Sequence, residues 1–253
     1  MSRKAEIERL RERIGRITSA GGAVKARSAR GAAQAPAILQ DLPSSCLHEI
    51  EGASWDAETG AATAAFAASL LRRYREGMIL WAVPGEAPFA PRISAFGLHP
   101  DRVIFCRCRK DHEVLASLEE ALRTPGIVAA VGEIAEVTLT QSRRLHLICE
   151  RSGATSFVLR RPLHGASSRR KAQGSAAATR WRVGFAPSGE GVLGGAMVGL
   201  GPPRWRLDLL YCRGGMPASF LVEWNDETGD LHLVAKLADH EALPGNTRLR
   251  RAG

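Results

Sequence analysis

The sequence is short of the features that most quickly betray a function. No stretch of its 253 residues approaches the ~20 consecutive apolar residues of a membrane span. The N-terminus is charged from Arg3 onward and lacks the apolar core of a signal peptide, so the expected compartment is the cytoplasm and the expected partners exclude a membrane. Cysteine is sparse and odd in number: Cys46, Cys106, Cys108, Cys149 and Cys212. Cys106-Arg107-Cys108 would place two thiols on one face of a strand, about 7 Å apart at the α-carbons. A zinc knuckle needs CxxC loops and a second pair, which the sequence lacks, so buried thiols in a reducing compartment are expected and no metal or cofactor is. None of the seven histidines pairs with another at ligand spacing; His48, His146 and His232 fall in expected strands or helices. The run "GEGVLGGAMVGLG" has no following helix and is no dinucleotide fingerprint.

What is present is a core and an uneven charge. Hydrophobic residues make up 45% of the chain, enough to bury a sizeable interior. The formal charge is +9, but residues 1–30 carry +6 and residues 160–182, with seven Lys/Arg and no acid, carry +7. The remaining 200 residues therefore carry −4. Basicity confined to two segments points to a polyanion or an acidic partner more than a uniformly basic surface would.

Periodicity divides the chain. Residues 1–17 form an amphipathic helix whose seam is Ile7, Leu10, Ile14 and Ile17. Residues 18–40, rich in Ala, Gly, Ser and Arg, form a flexible linker, residues 41–240 the core domain, and residues 241–253 a basic tail. Within the core, strands are expected at Cys46–Ile50, Met78–Val83, Val103–Cys108, Ile127–Val131 and Thr155–Leu159, alternating with helices at Glu58–Tyr74, His112–Leu122 and Thr140–Arg151. Continuous apolar strands between helices indicate a mostly parallel sheet covered on both faces, an α/β fold. After a basic loop at 160–180, the stretches "RWRVGF", "RWRLDLLYC", "SFLVEWN" and "DLHLVA" alternate polar and apolar residues. They read as antiparallel strands continuing the sheet, the last two joined by a hairpin turn at "DETG". Pro202, Pro203 and the glycine run Gly191–Gly201 mark loops.

"HEIEGASWDAETGAATAAFAASLL" runs from strand through glycine into helix, where a phosphate-cradling loop would sit. A Walker-type loop needs two glycines five apart and a lysine and hydroxyl after the second. Gly52 and Gly60 are eight apart, Ala61 and Ala62 stand where the lysine and hydroxyl belong, and Asp56 and Glu58 add negative charge. The loop is degenerate and reads as a strand-to-helix turn. Glu86 in "VPGEAPFAP" and Glu133 after "IVAAV" lie where acids could polarise water, but without a phosphate site they read as vestigial, and no enzyme activity is expected. The strongest signal is the basic stretch. Arg160, Arg161, Arg169, Arg170, Lys171, Arg180 and Arg182 could follow a phosphate backbone, with Trp181 near enough to stack on a base.

The segments "LEEALRTPGIVAAVGEIAEVTLTQSRRL" and "PRWRLDLLYCRGG", set in order with "ILWAVPGEAPFAPRISAFGLHPDRVIFCRC", resemble the inducible mutagenesis protein A family of bacteria, distant relatives of RecA. The resemblance spans about residues 40–237. It implies a RecA-like (P-loop NTPase-type) core and a role in damage-induced (SOS) translesion DNA synthesis. The implied partners are a Y-family-like polymerase partner of the mutasome, an error-prone replicative-type polymerase, RecA itself and single-stranded DNA. It maps the phosphate loop onto Gly52–Ala62, the catalytic glutamate to Glu86, and the Walker B end to Gly132-Glu133, with the loop lysine, its hydroxyl and the Walker B aspartate missing. It also likens the N-terminal helix and linker to RecA's subunit-docking arm, which suggests partner binding through Ile7, Leu10 and Ile14. The alternative is a RecA-like recombination or repair ATPase with an atypical phosphate loop.

Overall fold

A computed structural model of the chain describes residues 36–54, 56–85, 93–161, 174–188, 190–193 and 197–237. Its frame is a nine-stranded sheet made by β1 (Leu47–Gly52), β2 (Met78–Pro84), β3 (Val103–Cys108), β4 (Ile127–Ile134), β5 (Thr155–Arg160), β6 (Thr179–Ala186), β9 (Arg204–Cys212), β10 (Ala218–Asn225) and β11 (Asp230–Leu237), in the order β11-β10-β9-β6-β1-β5-β4-β2-β3. Strands β6 through β3 in that order are parallel to one another; β9, β10 and β11 are antiparallel. The fold is therefore α/β with a mostly parallel sheet and antiparallel C-terminal strands. Parallel pairing reaches β6, one strand further than the alternating pattern of "RWRVGF" suggested.

Helices cover the parallel half on both faces. Helix α2 (Ala57–Leu71) packs Phe66 and its alanines against Ile50, Trp81, Phe157 and Trp181. On the other face, α3 (Asp111–Arg123) and α4 (Leu139–Ser152) bury Leu118, Leu122, Leu145 and Cys149 against Leu80, Ala82 and Val158. Both ends of α4 are written locally. Thr138 and Gln141 form a reciprocal capping box, and Gly153 closes the helix at φ 81°. Gly132 lets α3 approach β4, because a β-carbon there would lie 2.6 Å from Leu118 Cδ1.

Several expectations need correction. Residues 37–40, assigned to the linker, form a helical turn, α1 (Ala37–Gln40); its Leu39 is buried, and Arg73 donates to the carbonyls of Leu39 and Leu42. β4 runs on to Ile134, so Glu133 lies inside a strand and not after it. The glycine run expected as loop contains a two-stranded hairpin, β7 (Glu190–Leu193) with β8 (Met197–Leu200), since glycines facing each other across the ladder do not prevent backbone pairing. Cys46, expected to open the first strand, precedes β1. The expected amphipathic helix at 1–17, most of the linker and the tail at 241–253 lie outside the described residues.

Candidate functional site

In an open α/β sheet, ligands settle beyond the carboxyl ends of the strands where neighbouring crossovers leave by opposite faces. Here that place is the end of β1: α2 leaves it on one face, while α4, on the other face, leads into its neighbour β5. Only four residues, 53–56, join β1 to α2. Ala53 N–H donates to Val183 O at 2.8 Å, tying the turn to β6. A β-carbon on Gly52 would come within 2.8 Å of Thr59 Cγ2, so glycine is required for strand and helix to approach this closely.

The positive end of α2, where a phosphate would bind, is occupied by the chain itself. Asp56 caps the helix, its Oδ1 accepting from Thr59 N–H at 2.7 Å, and Glu58 adds a second carboxylate in the first turn. Gly60, Ala61 and Ala62 do not form a loop. They lie in the helix, and Gly60 N–H donates to Asp56 O at 3.1 Å. The turn holds a strand against a helix, and among its described residues the N–H groups of Ala53, Asp56, Thr59 and Gly60 are already bonded within the chain.

Further along the carboxyl edge, Glu133 accepts from Trp81 Nε1–H at 3.1 Å. Burial raises its carboxyl above the ordinary carboxylate range, against the opposing effects of the Trp81 hydrogen bond and the Arg161 charge. Arg161 donates to Asp111 Oδ1 at 2.8 Å, and Asp111 Oδ2 accepts from Ala135 N–H at 2.7 Å. These groups brace the ends of β4 and β5 against the start of α3. Glu86 lies outside the described residues.

The basic stretch is not one loop. Arg160 is the last residue of β5, and Arg180 and Arg182 lie within β6. Each is paired. Arg160 Nη1 and Arg180 Nε lie 3.3 and 3.5 Å from Glu49 Oε2, and Arg182 Nη2 lies 2.7 Å from Glu51 Oε1. Ser175 Oγ donates to Glu49 Oε1, completing the shell of a carboxylate only 2% exposed. The pairing continues across the sheet through Arg206 and Asp208 at 3.0 Å and Arg204 and Glu223 at 2.6 Å. Trp181 is 1% exposed, packs edge-on to Phe66 and donates to Thr179 Oγ1 at 2.9 Å, so the expectation that it stacks on a base is overturned. Arg169, Arg170 and Lys171, like Ile7, Leu10 and Ile14, lie outside the described residues.

Glu49 and Glu51 had drawn no attention in the sequence. The signal was there in "LHEIEG", where carboxylates alternate with Leu47 and Ile50 in a strand otherwise built for burial. A buried charge demands a partner, and arginines two residues apart in "TRWRV" supply it. Among the described residues no three His, Cys, Asp or Glu side chains converge as a metal site, and no helix is long and apolar enough to cross a membrane.

No family model matches the sequence. Over 209 residues, however, the chain is 41% identical to Protein ImuA of Caulobacter vibrioides strain NA1000 / CB15N, an alignment spanning 79% of this chain and 84% of that protein. The chain belongs to the ImuA family. The same identity and coverage hold for Protein ImuA of C. vibrioides strain ATCC 19089 / CIP 103742 / CB 15. Membership bears out the resemblance drawn from the α3–α4 and β9 segments.

Proposed function

We propose that this ImuA-family chain is a non-catalytic, RecA-like accessory factor in damage-induced (SOS) mutagenic translesion DNA synthesis. It acts in the cytoplasm through protein–protein contacts and contact with single-stranded DNA. The observation that carries the non-catalytic part is the closed β1–α2 turn, whose helix end is capped by Asp56. A RecA-like ancestry accounts for a central parallel strand, glycine and helix in that order. Loss of the lysine, and its replacement by a self-capped helix, accounts for the turn's present form. The partners on this reading are the Y-family-like polymerase partner of the mutasome, an error-prone replicative-type polymerase and RecA, with Ile7, Leu10 and Ile14 as the docking seam.

Pull-down of the full chain from damaged cells tests the partner assignment. The chain should co-purify with the polymerase partner, and Leu10→Asp should abolish this without lowering the melting temperature. Normal co-purification by that variant would contradict the docking role. For DNA, the pairing of Arg160, Arg180 and Arg182 shifts the contact to Arg169, Arg170 and Lys171. Neutralising those three should reduce the slope of log affinity against log salt by up to about 2, at roughly 0.7 per phosphate contact. An unchanged slope and affinity would remove DNA from the proposal.

A further inference from the structure

Two thiols and a hydroxyl converge where α3 covers the edge strand β3. Cys106 and Cys108 share a face of the strand, with their Sγ atoms 3.9 Å apart. Ser117 Oγ from α3 lies 3.5 Å from Cys106 Sγ and 3.7 Å from Cys108 Sγ. Ser117 donates its own proton back to Glu113 O at 2.9 Å, which leaves the oxygen lone pairs for the sulfurs. Cys108 also lines a surface cleft with Pro84, Gly85, Arg107 and Arg109, a route from solvent.

Geometry separates the chemistries open to such a trio. A disulfide needs β-carbons about 3.5–4.5 Å apart. Same-face positions two residues apart on a strand are held about 6.6–6.8 Å apart, so the bond cannot close while β3 stays extended. A tetrahedral ion with about 2.3 Å bonds to sulfur and about 2.1 Å to oxygen places S···S near about 3.8 Å and S···O near about 3.6 Å. The three measured separations match one face of that tetrahedron.

We propose that Cys106, Cys108 and Ser117 form a binding site for a soft divalent cation of the zinc–cadmium class, held by two thiolates and the serine oxygen. Two S–H bonds break, two protons pass to solvent and two sulfur–metal bonds form, with no change of oxidation state. The two thiolate charges cancel the ion's, so the complex sits beside Arg107 and Arg109 without net repulsion. The bound ion pins α3 to the edge strand.

Cadmium titration of the reduced full-length chain, followed by thiolate-to-cadmium charge-transfer absorption and proton release, tests the site. One equivalent should bind with release of two protons, and Cys106→Ser/Cys108→Ser should lose it while Cys46, Cys149 and Cys212 remain. Ser117→Ala should weaken binding by about tenfold. A variant-free arm measures alkylation of the native chain by mass spectrometry. Cadmium should slow the labelling of Cys106 and Cys108 and leave that of Cys212 unchanged. No uptake by the native chain, uptake retained by the double variant, or equal protection of Cys212 would each overturn the proposal.

Discussion

The two halves of the sheet solve burial differently. In the parallel half, β1, β5, β4 and β2 lie between α2 on one face and α3 and α4 on the other, so both faces of each strand are largely apolar. In the half made by β6, β9 and β10, one face contributes Trp181, Leu207, Val222 and Trp224 to the α2-side core. The opposite face carries ion pairs, Arg182 with Glu51 and Arg204 with Glu223 across strands and Arg206 with Asp208 along β9. The seam is β1 itself. It is sequenced for burial yet carries Glu49 and Glu51, which anchor the arginines of the adjoining strands. A run of basic residues in sequence is thus no guide to a basic surface. Four of the seven residues of the expected nucleic-acid cluster, Arg160, Arg161, Arg180 and Arg182, are already paired with carboxylates.

The largest effects should come from the seam. Trp181→Ala empties a fully buried site beside Phe66 and should cost about 3–5 kcal/mol in chemical denaturation. Phe185→Ala, four residues along the same strand but 55% exposed, should cost well under half as much. Equal losses would break the distinction between the covered and the uncovered parts of β6. Glu49→Ala leaves Arg160, whose side chain is 7% exposed, without its carboxylate and should cost about 3–5 kcal/mol. Glu223→Ala, at a half-open pair, should cost less than about 1 kcal/mol. A double-mutant cycle with Arg160 and Arg204 would measure the contrast directly.

Acid titration probes β1 from its other face. His48 is buried; its Nε2–H donates to Pro43 O at 2.9 Å, and Thr179 Oγ1 lies 2.8 Å from Nδ1. Burial lowers its pKa from 6.5 to about 4. Between those values the unfolded chain binds a proton that the native chain does not, so stability rises with pH. The contribution of neutral His48 is complete above about pH 6.5 and is lost as pH falls toward 4. The slope from this group should reach about 1.4 kcal/mol per pH unit. His48→Gln should flatten that part of the profile, and an unaltered slope would show that His48 is not held neutral. At the turn, Asp56→Ala should cost about 1 kcal/mol in chemical denaturation through loss of the cap.

Much of this frame could be read from the sequence because its signals are local. "MILWAV" and "VIFCRC" are apolar enough to be buried strands, "TLTQ" announces a helix by its capping box, and "DETG" a hairpin turn. The errors arose where a distant partner decides. The alternation of "RWRVGF" suggested an antiparallel strand; β6 is antiparallel toward β9 but parallel toward β1. Trp181 alternates with arginines on a strand, where packing is the commoner role for a tryptophan, and the period of two turns it inward. The glycine spacing at 52–60 and the missing lysine suggested a degenerate phosphate loop. That Gly60, Ala61 and Ala62 are helical, and that Asp56 fills the helix end, depends on where α2 begins, which periodicity places only to within a turn.

The claim that the β1–α2 turn is closed to phosphate is tested most directly by titrating the full chain with ATP and magnesium while following hydrolysis. The account predicts no saturable binding and no turnover above background, for the native chain and for Glu86→Gln alike. Saturable, magnesium-dependent hydrolysis that disappears in Glu86→Gln would contradict it and establish the chain as a nucleotide-driven member of its family.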